Sequence, residues 1–143
     1  MFTSRPLKTA LAVVAVTFLI GCKSDADRAD EYFESGQELS ASGDIERALV
    51  QFRNVFEFDA AHRPTRIAMA NIFLEQNNMR GAYQQYLALA EQFPDDFEAR
   101  LNLAELAFAV SDWEEFARHG AAVIGLSPDE PRVKAIDLGL KYR

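Results

Sequence analysis

Apolar residues recur three and four positions apart in successive blocks along this chain, and short polar or turn-forming breaks separate the blocks from Asp27 onward. That spacing puts the apolar side chains on one face of a helix. No segment alternates with period two for long enough to suggest a sheet. The pattern predicts helices near Asp27 to Ser42, Ile45 to Phe58, Arg63 to Glu75, Met79 to Gln92, Asp96 to Val110 and Asp112 to Ile124, with a seventh near Pro131 to Tyr142. Ser111 with Glu114, and Asp95 with Glu98, each set a capping side chain three residues before an acidic one, a mark of a helix start.

The layout of Ala29 to His62 returns in Arg63 to Asp96 and again in Phe97 to Glu130, a 34-residue period. The first unit has a small residue at its eighth place (Gly36), a turn at Gly43 and Asp44, a small residue at Ala48 and an aromatic at Phe52. The second puts Ala70, Asn77, Asn78, Ala82 and Tyr86 at those places and closes with Pro94, and the third supplies Leu103, Ala104, Asp112 and Pro128. Three copies in phase resemble the tetratricopeptide repeat, a helix-turn-helix array. The resemblance implies an all-α fold: a right-handed α-α superhelix of three repeats (29–62, 63–96 and 97–130) closed by a capping helix at 131–143.

Antiparallel helices approach closely only where their contacting positions are small, so Gly36 is expected against Ala48 and Ala70 against Ala82. Leu39, Phe52, Val55, Phe73, Tyr86 and Leu89 would fill the seams between units. One unit cannot bury its apolar face alone, so the units must stack. The third departs from the pattern, with Phe116 where a small residue is expected and Gly120 where an aromatic is. A large side chain moved one turn back along the helix would conserve volume there.

Met1 to Gly21 reads as an export signal, with Arg5 and Lys8 ahead of an apolar run from Thr9 to Ile20. Such a run spans roughly 18 Å as a helix, short of a hydrocarbon core of about 30 Å. Leu19-Ile20-Gly21-Cys22 resembles the bacterial lipobox, which implies lipidation of Cys22 and, with Lys23 following, sorting to the outer membrane with the body facing the periplasm. Cys22 is the single cysteine, so no disulfide forms within the chain. Residues 22–28 make a short linker, which holds the body near the bilayer.

Without Arg5 and Lys8, thirteen basic residues face all 22 acidic ones, leaving the body at −9. Such a body is repelled by phosphate backbones, which excludes nucleic acid as an expected partner. Arg132, Lys134, Lys141 and Arg143 make the last helix basic. It reads either as a solvated cap or as a docking patch, with Val133, Ile136 and Leu140 on its inner face.

The family resemblance implies ligand binding in a concave groove lined by the first helix of each repeat. Carried over by position, that face presents Phe33, Gln37 and Ser40, then Ile67, Asn71, Leu74 and Glu75, then Leu101, Asn102, Glu105 and Phe108. Amides beside apolar groups suit an extended peptide, and Glu75 and Glu105 favour a neutral or basic one. Ile67, Leu101 and Phe108 read equally as partly core. Asn71 and Asn102 match places where relatives clamp a peptide's C-terminal carboxylate, but Ile67 and Ile136 stand where bases are needed. Trp113 is expected in the core. His62 and His119, with His119 expected on an exposed face, are too far apart in sequence for a metal pair. The carboxylate neighbours Asp95-Asp96, Glu114-Glu115 and Asp129-Glu130 sit at helix starts, where capping explains them.

No glycine-rich phosphate loop follows a strand, and no nucleophile has a plausible base nearby. The sequence therefore reads as a non-enzymatic, lipid-anchored adaptor of the bacterial envelope that needs no cofactor and binds a protein or extended peptide. It resembles tetratricopeptide lipoproteins that accompany exopolysaccharide export, including those near the PEP-CTERM sorting system. Lipoproteins of outer-membrane or pilus assembly share the architecture. The alternative is an accessory subunit that recognises a glycan or peptidoglycan strand for a partner enzyme.

Overall fold

The computed structural model describes residues 23–142. The expected export signal, Cys22 and Arg143 lie outside the described residues. Seven helices follow one another: α1 (Asp25–Ala41), α2 (Ile45–Val55), α3 (Arg63–Glu75), α4 (Met79–Gln92), α5 (Phe97–Ala109), α6 (Trp113–Leu126) and α7 (Pro131–Lys141). Each odd-numbered helix packs on the next even one as a hairpin, and each even-numbered helix packs on the following odd one. The result is an α-α superhelix, with no strand among the described residues.

The hairpin turns explain the 34-residue period in hydrogen bonds. Gly43, Asn77 and Ser111 all have positive φ, at 84°, 56° and 59°. Each lets the next residue turn back, so that Asp44, Asn78 and Asp112 donate their N–H to Leu39, Phe73 and Ala107 carbonyls at 2.9, 2.7 and 2.9 Å. This six-to-one bond closes the first helix of the pair. The same three residues then open the second helix, their side chains accepting from the N–H of Arg47, Gly81 and Glu115 at 3.3, 2.9 and 3.2 Å. One residue thus ends one helix and begins the next.

This corrects the expected caps. Ser111 is the left-handed turn residue and Asp112 the cap of α6. Likewise Asp96, not Asp95, caps α5, accepting from Ala99 N–H at 2.9 Å. The first helix begins earlier than expected, because Ser24 and Asp27 form a reciprocal capping box. The second stops at Val55 rather than Phe58. There the backbone tightens into three-residue bonds from Phe56, Glu57 and Phe58 to Arg53, Asn54 and Val55 carbonyls.

Three apolar clusters lie along the solenoid, one at each junction. Ala48, Phe52, Met69 and Ile72 join the first two repeats; Ala70, Ala82, Tyr86, Leu89, Ala90, Ala99 and Leu103 join the next two. Leu101, Ala104, Phe116, Val123, Val133 and Ile136 seat α7. Gly36 approaches the Phe52 ring, since a Cβ built there would lie 2.5 Å from Phe52 Cε1. The substitution in the third repeat compensates across helices rather than within one. Phe116 is buried against Gly139 of α7, and Gly120 leaves room for Ile136, whose Cγ2 would sit 2.8 Å from an added Cβ.

Charged groups tie repeats two and three. Arg63, at the start of α3, donates Nε–H to the Asp96 carboxylate at 2.5 Å and Nη2–H to Glu98 at 2.9 Å. Burial tends to raise the Asp96 pKa, but the Arg63 hydrogen bond and the Ala99 N–H outweigh it and hold the carboxyl below its usual range.

Candidate functional site

Two grooves open between successive first helices. The one between α1 and α3 encloses about 510 Å³ and is lined by Gln37, Ser40, Ala41, Ile45, Phe52, Ala68, Asn71, Ile72 and Glu75. It brings together four residues singled out from sequence, Gln37, Ser40, Asn71 and Glu75. Its floor residues Ile45, Ala68 and Ile72 were not singled out, since they belong to the same apolar stripes that build the core. Gln37, Asn71 and Glu75 are exposed. No side-chain hydrogen bond or ion pair engages any of the three among the described residues. Phe33 lies outside this groove, half-buried, tilted against Phe52 at 5.9 Å and edge-on to His62 at 5.1 Å.

The groove between α5 and α7 encloses about 310 Å³ and is mainly apolar, with Phe108, Phe116, Ala135, Ile136 and Gly139 between the charged Glu105 and Arg132. Glu105 and Arg132 form a two-pronged ion pair across it, Arg132 Nε donating to Glu105 Oε1 at 2.7 Å. That bond raises the Arg132 pKa. Glu105 therefore offers no spare carboxylate to a ligand. Phe108 is 52% exposed, although its ring also meets Trp113 at 5.8 Å and Phe116 at 5.2 Å. Trp113 itself is half-buried in this aromatic group and packs there.

The remaining expected groove residues are not gathered in either place. Leu101 is buried core, and Ile67 and Leu74 are half-buried against the central cluster. Asn102 spends one amide N–H on the Glu98 carbonyl at 2.8 Å. On α7, Lys134 pairs with Asp129 at 3.4 Å and Lys141 with Asp137 at 2.5 Å, so these bases have local partners. Such exposed pairs are weak and exchange readily.

Both histidines are occupied by structure. His62 caps α3, its Nδ1 accepting from Thr65 N–H at 3.3 Å. His119, expected on an open face, is fully buried. The sequence carried that signal, because His119 shares the stripe of Phe116, Gly120 and Val123 on α6. Its ring lies between Arg100 (3.3 Å to Nδ1), Glu115 (3.2 Å to Nε2) and Arg118 (3.4 Å to Nε2). A neutral ring satisfies this arrangement, accepting from Arg100 and donating to Glu115. Burial first, and the two guanidinium groups next, lower the His119 pKa. Tyr83 of α4 donates its hydroxyl to Glu115 at 2.7 Å, and burial with that carboxylate pushes the phenol up to about 12.

Among the described residues no three His, Cys, Asp or Glu side chains are grouped to hold a metal ion. No described helix is long and apolar enough to cross a membrane.

This architecture defines the class. The chain has the tetratricopeptide-repeat fold, as comparison with solved structures bears out. It is similar to the Arabidopsis OM64 tetratricopeptide domain at 15% identity, with a TM-score of 0.65, covering 82% of this chain and 98% of that one. It is equally similar to the first such domain of Spaghetti (RPAP3) bound to the HSP90 peptide SRMEEVD, at 16% identity and a TM-score of 0.65, covering 85% of this chain and 99% of that one. No protein-family model matches the sequence, and comparison with curated protein sequences finds no match.

Proposed function

We propose that this chain is a non-enzymatic adaptor that holds an extended, neutral to basic segment of a partner protein in the groove between α1 and α3. The observation that supports it is the composition of that groove: an apolar floor under a rim of unengaged amide, hydroxyl and carboxylate groups at Gln37, Asn71, Ser40 and Glu75. A strand-like peptide presents backbone donors and acceptors that amides bond well, while alternate side chains reach the floor. Spaghetti's domain carries an acidic peptide. Here Glu75 has no ion-pair partner among the described residues and Ile67 stands where a base would meet a carboxylate, so the charge preference is the opposite one.

The anchor is part of the same proposal. The lipobox at Leu19 to Cys22 supports acylation of Cys22, outer-membrane attachment and a body facing the periplasm, and the family resemblance favours a partner in polysaccharide export or in outer-membrane or pilus assembly. Pull-down from the native host with the wild type and with Asn71→Ala, Glu75→Lys tests the groove. The expected result is loss of a specific partner with the double variant, and unchanged recovery would remove the site from this groove. Intact mass of the mature chain tests the anchor, with Cys22→Ala as control; a thiol without an acyl chain would end that part.

A further inference from the structure

Helix α7 is apolar on two sides. Val133, Ile136 and Leu140 face inward, Val133 and Ile136 being buried. Pro131, Ala135, Leu138 and Tyr142, spaced i, i+4, i+7 and i+11, form a second stripe on the outside, all four exposed, with Leu138 at 54% and Tyr142 at 85%. A helix that merely solvates the end of a solenoid has a polar outer face. This one does not.

The repeat period identifies what such a face meets. One unit back, Ala135, Leu138 and Tyr142 correspond to Leu101, Ala104 and Phe108 of α5. Leu101 and Ala104 are buried in the cluster that includes Phe116 and Val123 of α6, and the Phe108 ring packs on Trp113 and Phe116 of α6. In all three complete repeats this side of the first helix is covered by an antiparallel second helix. Among the described residues nothing covers it on α7.

The geometry points to α7 as the docking site for an amphipathic helix of a partner protein, whose apolar stripe is flanked by carboxylates, lying where the second helix of a fourth repeat would lie. Lys134 and Lys141 flank the stripe on one side and are held only by exposed pairs with Asp129 and Asp137. A second copy pairing its own α7 antiparallel would bring these lysine edges together, which disfavours it. An anionic membrane would face the −9 charge of the whole body, whereas one docked helix meets chiefly the Lys134 and Lys141 flank within a Debye length. Leu138 stands where the complete repeats have Gly36, Ala70 and Ala104, so the incoming helix must carry a small residue opposite it.

Two synthetic amphipathic helical peptides test this, identical in an apolar stripe with a central alanine and flanked by glutamate in one and lysine in the other. Fluorescence anisotropy at low salt is expected to give the glutamate peptide at least tenfold tighter binding. Leu138→Glu should weaken it tenfold or more with unchanged circular dichroism, and Asn71→Ala should leave it unaltered, separating this site from the α1–α3 groove. Equal binding of the two peptides, binding of neither, or no effect of Leu138→Glu overturns the proposal. So does a dimer in light scattering, or association with phosphatidylglycerol vesicles, that Leu138→Glu abolishes.

Discussion

Gly36→Ala isolates the contact on which the first hairpin depends. The added methyl would lie 2.5, 2.6 and 3.1 Å from three Phe52 ring carbons, where unstrained carbon pairs sit roughly 3.5–4.0 Å apart. The ring cannot swing aside, because Phe52 is 1% exposed among Ala48, Met69 and Ile72. The helices must therefore part by about 1 Å. Overpacking of this kind costs about 1–3 kcal/mol, and the better helix propensity of alanine returns about 1 kcal/mol. Contacts as short as 2.5 Å put the cost in the upper half of that range, so the net loss is about 1–2 kcal/mol, which should lower Tm by roughly 4–8 °C for a domain of this size. Thermal melts followed by circular dichroism read the shift, and a cycle with Phe52→Leu assigns it. If Phe52→Leu relieves the clash, the double variant will be less damaged than the sum of the singles by about 1 kcal/mol or more. An unchanged or raised Tm for Gly36→Ala, or additive losses, would refute the close approach as its cause.

Gly125, on the exposed side of α6, has nothing within 4 Å of a built Cβ, so Gly125→Ala should stabilise by about 0.5–1 kcal/mol in the same melts. Ser111 holds a left-handed conformation where the first repeat has glycine; Ser111→Gly should gain about 1 kcal/mol in urea unfolding, whereas Gly43→Ala should lose a similar amount. Asp96→Ala removes both a helix cap and the partner of Arg63, and should cost about 2 kcal/mol, read from the urea midpoint. His119 binds a proton less readily when folded than when unfolded, so the unfolded chain takes up more protons below about pH 6.5. Stability should fall as pH drops from there toward the depressed folded pKa, and in His119→Gln that slope should vanish while the carboxylate-driven loss at lower pH remains.

The fold was legible because local chemistry repeats. Small residues at Gly36, Ala70 and Ala104, and turn residues at Gly43, Asn77 and Ser111, recur at one interval and impose one hairpin each time. The misplaced caps at Ser111 and Asp95 had a neighbouring Asp that also satisfies the rule, and only the backbone turn decides between them. His119 was misplaced because a polar residue was read as outward, although its register put it on the buried stripe beside Arg100. The candidate site was legible in part. Position within the repeat predicted Gln37, Ser40, Asn71 and Glu75 as neighbours, but not the Arg132–Glu105 pair, which links residues a repeat apart through side-chain reach. Period alone could not show that the outer stripe of α7 stays bare, since the same residues would be core under one more helix.

The short second helix connects these observations to ligand binding. α2 has 11 residues where α4 and α6 have 14, and its missing turn is replaced by the tight backbone around Phe56 to Phe58. Two ring contacts hold that segment out of helix: Phe58 stacks on Tyr32 at 5.6 Å, and Arg66 lies over Phe56 at 4.4 Å. The consequence is a longer connection to α3 and a thinner junction between repeats one and two than between the later repeats. In a solenoid each junction contributes separately to stability, so the first repeat can shift against the second without disturbing the rest. The polar groove between α1 and α3 spans this looser junction. The apolar groove between α5 and α7 is instead braced by Arg132 and Glu105 and by the close contact of Gly139 with Phe116. An extended segment whose side chains vary suits the first arrangement, while the second holds α7 firmly, so that its outer stripe would meet a docking helix in one fixed register. On the two proposals above, the ends of the molecule suit different guests, the adaptable groove lying at α1 and α3 and the rigid end at α7.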